Sequence, residues 1–168
     1  RKIRISDSLL LQDAFNLNTL SGLGAFVKKV ILGTLIVEGI GALLYMTVFV
    51  PEFGAKGIWV SVFTSVSAFC NAGIDIIKLN SLCDYALNPI INLVTCGLII
   101  LGGIGYIVWW DVIRVLKQKK RKFFKALTLH SKIAITATLL LIFAGAILIF
   151  LFEQNNPLTI GNYTLIQK

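Results

Sequence analysis

VSVFTSVSAFCNAGID, residues 60–75, is the stretch whose reading decides the fold. It begins as an apolar helix pattern dotted with Ser and Thr, and it breaks at Cys70, Asn71, Ala72 and Gly73. Two longer apolar runs flank it, and a helix of its own length is too short to cross a bilayer. A half-length helix that ends in non-helical backbone at membrane depth is costly. Each bare peptide group loses several kcal/mol (roughly) unless protein or a water-filled cavity receives it. Such backbone is tolerated where its free carbonyls have a cation to coordinate. The stretch therefore reads as a pore helix followed by an ion-selectivity filter.

Composition puts that stretch in a membrane. The 168 residues are 57% hydrophobic and only 14% charged, with a mean hydropathy of +0.84, the profile of an integral membrane protein. A formal net charge of +8 would also suit a nucleic-acid partner, but the 16 Lys and Arg are clustered, five in residues 1–29 and eight in residues 114–132. A membrane topology accounts for that clustering with no nucleic acid. Cys70, Cys83 and Cys96 are odd in number and spaced by 13 and 13, which fits neither a disulfide framework nor a metal-ligand pattern. The chain starts at Arg1 with no Met and no signal-peptide pattern and ends in a short polar tail, so a piece of a longer polypeptide is expected.

Taken outward from the loop, the chain divides as follows. Residues 1–28 open with a basic cluster and a short amphipathic pattern, an interfacial helix capped by Ser6 or Asp7. Residues 29–113 form a helix–pore loop–helix repeat, with spans at about 30–50 and 89–113 and the pore helix and filter at about 57–75. Each span suits a hydrocarbon core of about 30 Å. Pro51 is expected to end the first span, and Pro89 to open the second. Gly97, Gly102, Gly103 and Gly105 in the second span point to close helix packing, with a hinge as the sharper alternative. Trp109 and Trp110 suit its interfacial end. Residues 114–132 read as a basic loop that also suits anionic membrane lipid, and residues 133–168 as a third span (133–152) with an external tail.

Two carboxylates join the candidate site. Glu38 lies inside the first span, where a lipid-facing carboxylate costs about 2.5–3.5 kcal/mol, so it faces protein or water. It is either an ion-path residue or a structural carboxylate paired with a neighbouring helix. Asp75 follows the filter, where it either concentrates cations at the outer mouth or serves as a turn carboxylate. Orientation comes from the basic residues: the loop 51–88 holds two and the tail 153–168 holds one. The positive-inside rule puts the N-terminus and loop 114–132 in the cytoplasm, with the pore loop and the tail outside. No nucleophile–base pair is legible, so an enzyme is not expected. A non-conducting membrane scaffold stays open as the alternative, as does a Na⁺-permeable transporter.

The string TSVSAFCNAGID at residues 64–75, followed by LGGIGY at residues 101–106, resembles the Trk/Ktr potassium transporters. Their pore loops read SAF-N-NAGF, and the following helix carries a LGGIGF-like run. The opening SDSLLLQDAFNLNTLSGL and the run from residue 127 to 154 are similar to segments that precede the second repeat and begin the third. The resemblance implies an all-α integral membrane fold with four helix–re-entrant loop–helix repeats around one pore. This chain would hold the second repeat and the first helix of the third. It implies K⁺ as the transported ion, with no further cofactor, coordinated by the backbone carbonyls of Cys70, Asn71, Ala72 and Gly73. Gly73 stands at the family's filter glycine; Cys70 replaces a commoner Asn, and Ile74 a commoner Phe. The implied partners are the remaining repeats, a second copy of the membrane subunit in a homodimer, and a cytoplasmic nucleotide-binding regulatory subunit.

Overall fold

The computed structural model describes residues 21–77, 81–118, 123–156 and 159. The interfacial helix expected at the N-terminus, with its Ser6 or Asp7 cap, and most of the tail lie outside the described residues. Among those described, all regular structure is helical. Two helices are long and apolar enough to cross a membrane, and a sharply bent pair makes a third candidate span. The protein is an all-α, multi-pass membrane protein.

Helix α1 (Ser21–Phe53) contains a 28-residue apolar segment, Phe26–Phe53. At about 1.5 Å per residue it exceeds a hydrocarbon core of about 30 Å. Pro51 does not end it. Proline removes a single N–H bond, and the helix continues to Phe53 until Gly54, at φ 60, reverses the chain with its N–H on the Val50 carbonyl at 2.8 Å. Helix α2 (Ala55–Phe69) then runs back along α1. Its 15 residues reach about 22 Å, too short to span.

Within hydrocarbon, helices gain little by excluding water and associate through close packing and internal hydrogen bonds. The α1–α2 hairpin is built that way. A Cβ on Gly57 would lie 2.3 Å from the Phe49 carbonyl oxygen, and one on Gly41 would lie 2.6 Å from Ser65 Oγ. Tyr45 and Phe49 are fully buried and their rings stack at 5.6 Å. A 3-10 turn, Ser81–Tyr85, closes over this core. The Tyr85 ring meets Phe49 edge-on at 5.3 Å while its hydroxyl donates to Glu52. Burial and that hydrogen bond push the Tyr85 phenol above its ordinary range.

Helix α3 (Pro89–Gly103) starts where expected. Asn88 Oδ1 accepts the N–H groups of Ile90 (3.0 Å) and Ile91 (3.3 Å), and Pro89 takes the first turn. Tyr45 and Thr95 hydroxyls meet at 2.6 Å and tie α3 to α1. The continuous span expected over residues 89–113 is not what forms. The helix stops at Gly103, Gly105 takes φ 89, and α4 (Tyr106–Lys117) leaves at an angle of 101°. Hydropathy alone cannot register that break, because both halves are apolar. Of the two readings of the glycine run, close packing holds at Gly102 and a break at Gly105.

The basic block 114–132 is also less of a loop than expected. Helix α4 continues to Lys117, α5 (Phe123–Ala126) is a short turn, and α6 (Leu129–Glu153) begins inside the block. Buried Asp111 organises this corner. It accepts the Thr128 N–H and hydroxyl, each at 2.8 Å, and pairs with Arg114. Thr128 in turn caps α6 through the Ser131 N–H at 3.3 Å. Beyond Ser131, α6 buries no side chain fully within this chain, as suits a helix facing lipid or further protein.

Candidate ion-binding loop

Three serines in α2 do three different things. Ser61 bonds back one turn to the Gly57 carbonyl at 2.7 Å, the ordinary habit of a helical serine. Ser65 reaches sideways to the Glu38 carbonyl on α1 at 2.7 Å. Ser67 reaches forward into the loop, where its hydroxyl donates to the Ile74 carbonyl and accepts the Ile74 N–H at 3.0 Å.

The helix ends at Phe69, and the next four residues divide their polar groups unequally. The N–H groups turn inward. Cys70 donates to Val66 O (2.9 Å), Asn71 to Ala68 O (3.1 Å) and Ala72 to Ser67 O (2.9 Å). The carbonyls of Cys70, Asn71, Ala72 and Gly73 accept no hydrogen bond among the described residues, and all four residues are exposed. The backbone reaches this arrangement through two left-handed residues, Asn71 at φ 54 and Gly73 at φ 67. Asparagine is among the non-glycine residues least penalised there, and glycine is not penalised at all. The result is a run of unpaired acceptors at the negative end of a helix dipole, an arrangement suited to a cation.

The loop rests on α3. A Cβ on Gly102 would fall 1.8 Å from the Phe69 carbonyl oxygen, so only glycine lets the end of α2 sit there. The Asn71 side-chain amide lies 3.4 Å from Phe69 O and 3.5 Å from Ile99 O. Beneath, Trp109 packs edge-on against Phe69 with ring centroids 5.8 Å apart. Its indole N–H donates to Leu101 O at 3.0 Å, one of the carbonyls freed by the α3–α4 break. Trp109, expected at a membrane interface, packs against the residue before the loop. Ser67, Gly102 and Trp109 are absent from the sequence-based site. Only the motif runs hint at them: the SAF of residues 67–69 contains Ser67, and the LGGIGY run contains Gly102.

A cavity of about 210 Å³ lies between α2, the loop and α3, lined by Thr64, Ser67, Asn71, Gly73, Asp75 and Thr95 among others. Asp75 is half-buried there, and its carboxylate accepts the Ile77 N–H at 3.4 Å, as a turn carboxylate does. Glu38 is not among the residues lining this cavity. It sits half-buried on α1, joined to α2 only through its backbone carbonyl among the contacts described. The structure thus gathers Cys70, Asn71, Ala72, Gly73 and Asp75 into one loop and leaves Glu38 on a separate helix.

Residues 14–163 match the family model TrkH, described as a cation transport protein. The chain belongs to the TrkH family. That family is one of cation transport proteins, not of enzymes. The chain is 40% identical over its whole length to the potassium/sodium uptake protein NtpJ of Enterococcus hirae, and it spans 36% of that protein. It is 36% identical over its whole length to the Ktr system potassium uptake protein B of Bacillus subtilis, again 36% of the relative. To the protein of the same name from Vibrio alginolyticus it is 34% identical, over 97% of this chain and 35% of the relative. This TrkH-family chain thus spans about a third of the length of the curated relatives it matches.

Proposed function

We propose that the protein containing this chain takes up K⁺ across the plasma membrane, and that residues 70–73 supply one quarter of its selectivity filter. One observation carries the reading: among the described residues, the carbonyls of four successive exposed residues accept no hydrogen bond, while the N–H groups of Cys70, Asn71 and Ala72 are tied inward. A dehydrated K⁺ recovers its lost hydration from rings of such carbonyl dipoles without a fixed charge. The C-terminal end of α2 adds partial negative charge at the same place. Asp75 stands beside the loop, where its charge raises the local cation concentration. A scaffold would have no use for four bare acceptors at membrane depth.

One loop cannot surround an ion, so the site needs further repeats of the same polypeptide. The relatives named as potassium uptake proteins support K⁺ as substrate, and the one named a potassium/sodium uptake protein supports Na⁺ as a second or coupled ion. The name Ktr system supports assembly with other subunits, for which a homodimer and a cytoplasmic nucleotide-binding regulator are the proposed partners. No cofactor beyond the transported ion is required by this mechanism. The distribution of basic residues supports a cytoplasmic loop 114–132 and a filter loop on the outer side.

The test is uptake by the full-length transporter in a host lacking its own potassium uptake. Gly73→Ser and Gly73→Asp should weaken K⁺ affinity or K⁺/Na⁺ discrimination, because φ 67 penalises any side chain and Asp adds charge. Wild-type affinity and selectivity in both variants would defeat the filter assignment.

A further inference from the structure

We infer that Ser67 is a positioning residue for ion selectivity: its one side chain holds the backbone on the far side of Gly73 in the conformation that exposes the filter carbonyls. The inference rests on the filter reading and adds a residue that neither touches the ion nor lies in residues 70–73.

Ser67 is buried, at 7% exposure, and both its backbone carbonyl and its hydroxyl bond to the loop. Its backbone carbonyl accepts the Ala72 N–H at 2.9 Å, just before Gly73. Its hydroxyl engages both polar groups of Ile74, just after Gly73. The residues on either side of the left-handed glycine are therefore both tied to one residue of α2. A hydroxyl can do this because it donates once and still accepts. A serine with only a helical role would bond one turn back, as Ser61 does to Gly57. Ser67 forgoes that bond for a partner seven residues ahead.

The physical consequence concerns geometry more than stability. Glycine is the most freely rotating residue, so a filter built on Gly73 needs its neighbours held for the carbonyls to keep one separation. Ion discrimination depends on the number and spacing of those dipoles. Without the Ser67 hydroxyl, Ile74 would lose partners for both N–H and C=O, and Gly73 would be held from one side only. The half-buried Thr95 and the buried Thr64 also line the adjoining cavity, but neither bonds to the loop among the described residues, so the function falls to Ser67.

The experiment uses the full-length transporter, with Ser67→Ala and Ser67→Thr compared against wild type and Gly73→Ser. The readouts are K⁺ uptake, Na⁺ competition and thermal stability in detergent. Ser67→Ala should raise the KM for K⁺ and lower K⁺/Na⁺ discrimination by about three- to tenfold, the scale of one to two hydrogen bonds, with the maximal rate less affected. Ser67→Thr, which keeps the hydroxyl, should restore most of the discrimination. If Ser67→Ala folds and keeps wild-type discrimination while Gly73→Ser loses it, Ser67 has no positioning role and the filter reading stands. If Gly73→Ser is also without effect, the filter reading itself fails. If Ser67→Ala does not fold, Ser67→Thr and Ser67→Cys decide. Equal discrimination in a folded Cys variant, whose thiol is the weaker hydrogen-bonding group, and in the Thr variant overturns the inference.

Discussion

Gly102→Ala is the substitution for which the structure gives the firmest expectation. The new methyl would lie 1.8 Å from the Phe69 carbonyl oxygen and 2.9 Å from its carbon, whereas real Cβ contacts essentially never fall below 3.0 Å. Relief requires a separation of about 1 Å between α3 and the end of α2, and the obstructing atoms are backbone, which cannot rotate away as a side chain would. Overpacking of this kind costs about 1–3 kcal/mol. The same methyl at Gly97, earlier in α3, meets nothing within 4 Å in this chain. There, replacing a helical glycine gains about 0.5–1 kcal/mol. One helix and one substitution thus have opposite expected signs. The displaced group is the Phe69 carbonyl, immediately before the loop, so the damage should reach the ion site. At about 1.4 kcal/mol per factor of ten, even half of the cost expressed in the loop raises the KM for K⁺ severalfold. The assay is thermal unfolding of the purified full-length protein in detergent, alongside K⁺ uptake in cells. A Gly102→Ala protein as stable as Gly97→Ala, with wild-type K⁺ affinity, would refute the claim that the loop is seated on α3.

The remaining predictions concern the corner beyond the break and the orientation. Asp111→Ala should destabilise the full-length protein by about 1–3 kcal/mol, because the Thr128 N–H and hydroxyl lose a buried acceptor; an unchanged unfolding temperature would show that the α4–α6 corner is held by other contacts. Single cysteines at exposed positions 117 and 125, in a protein without its native Cys70, Cys83 and Cys96, should react with a membrane-impermeant maleimide only from the cytoplasmic side. Labelling of intact cells from outside would invert the topology.

What the sequence by itself determines here is the environment and the place of the loop. Hydropathy and charge clustering are sums over many residues, so they survive ignorance of every contact. The Asn71-Ala72-Gly73 break is equally legible, because left-handed backbone selects its residue types locally. Residues 89–113 show where that kind of reading stops. Their hydropathy is unbroken, yet Gly105 turns the chain by 101° and sends Trp109 under Phe69. The orientation of polar groups in the loop, the two hydrogen bonds between the Ser67 hydroxyl and Ile74, and the seat at Gly102 belong to the tertiary structure alone. Composition can signal that a backbone will be bare at membrane depth. Which of its carbonyls stay free depends on which neighbours reach its N–H groups, and that is decided only when α2, the loop and α3 pack together.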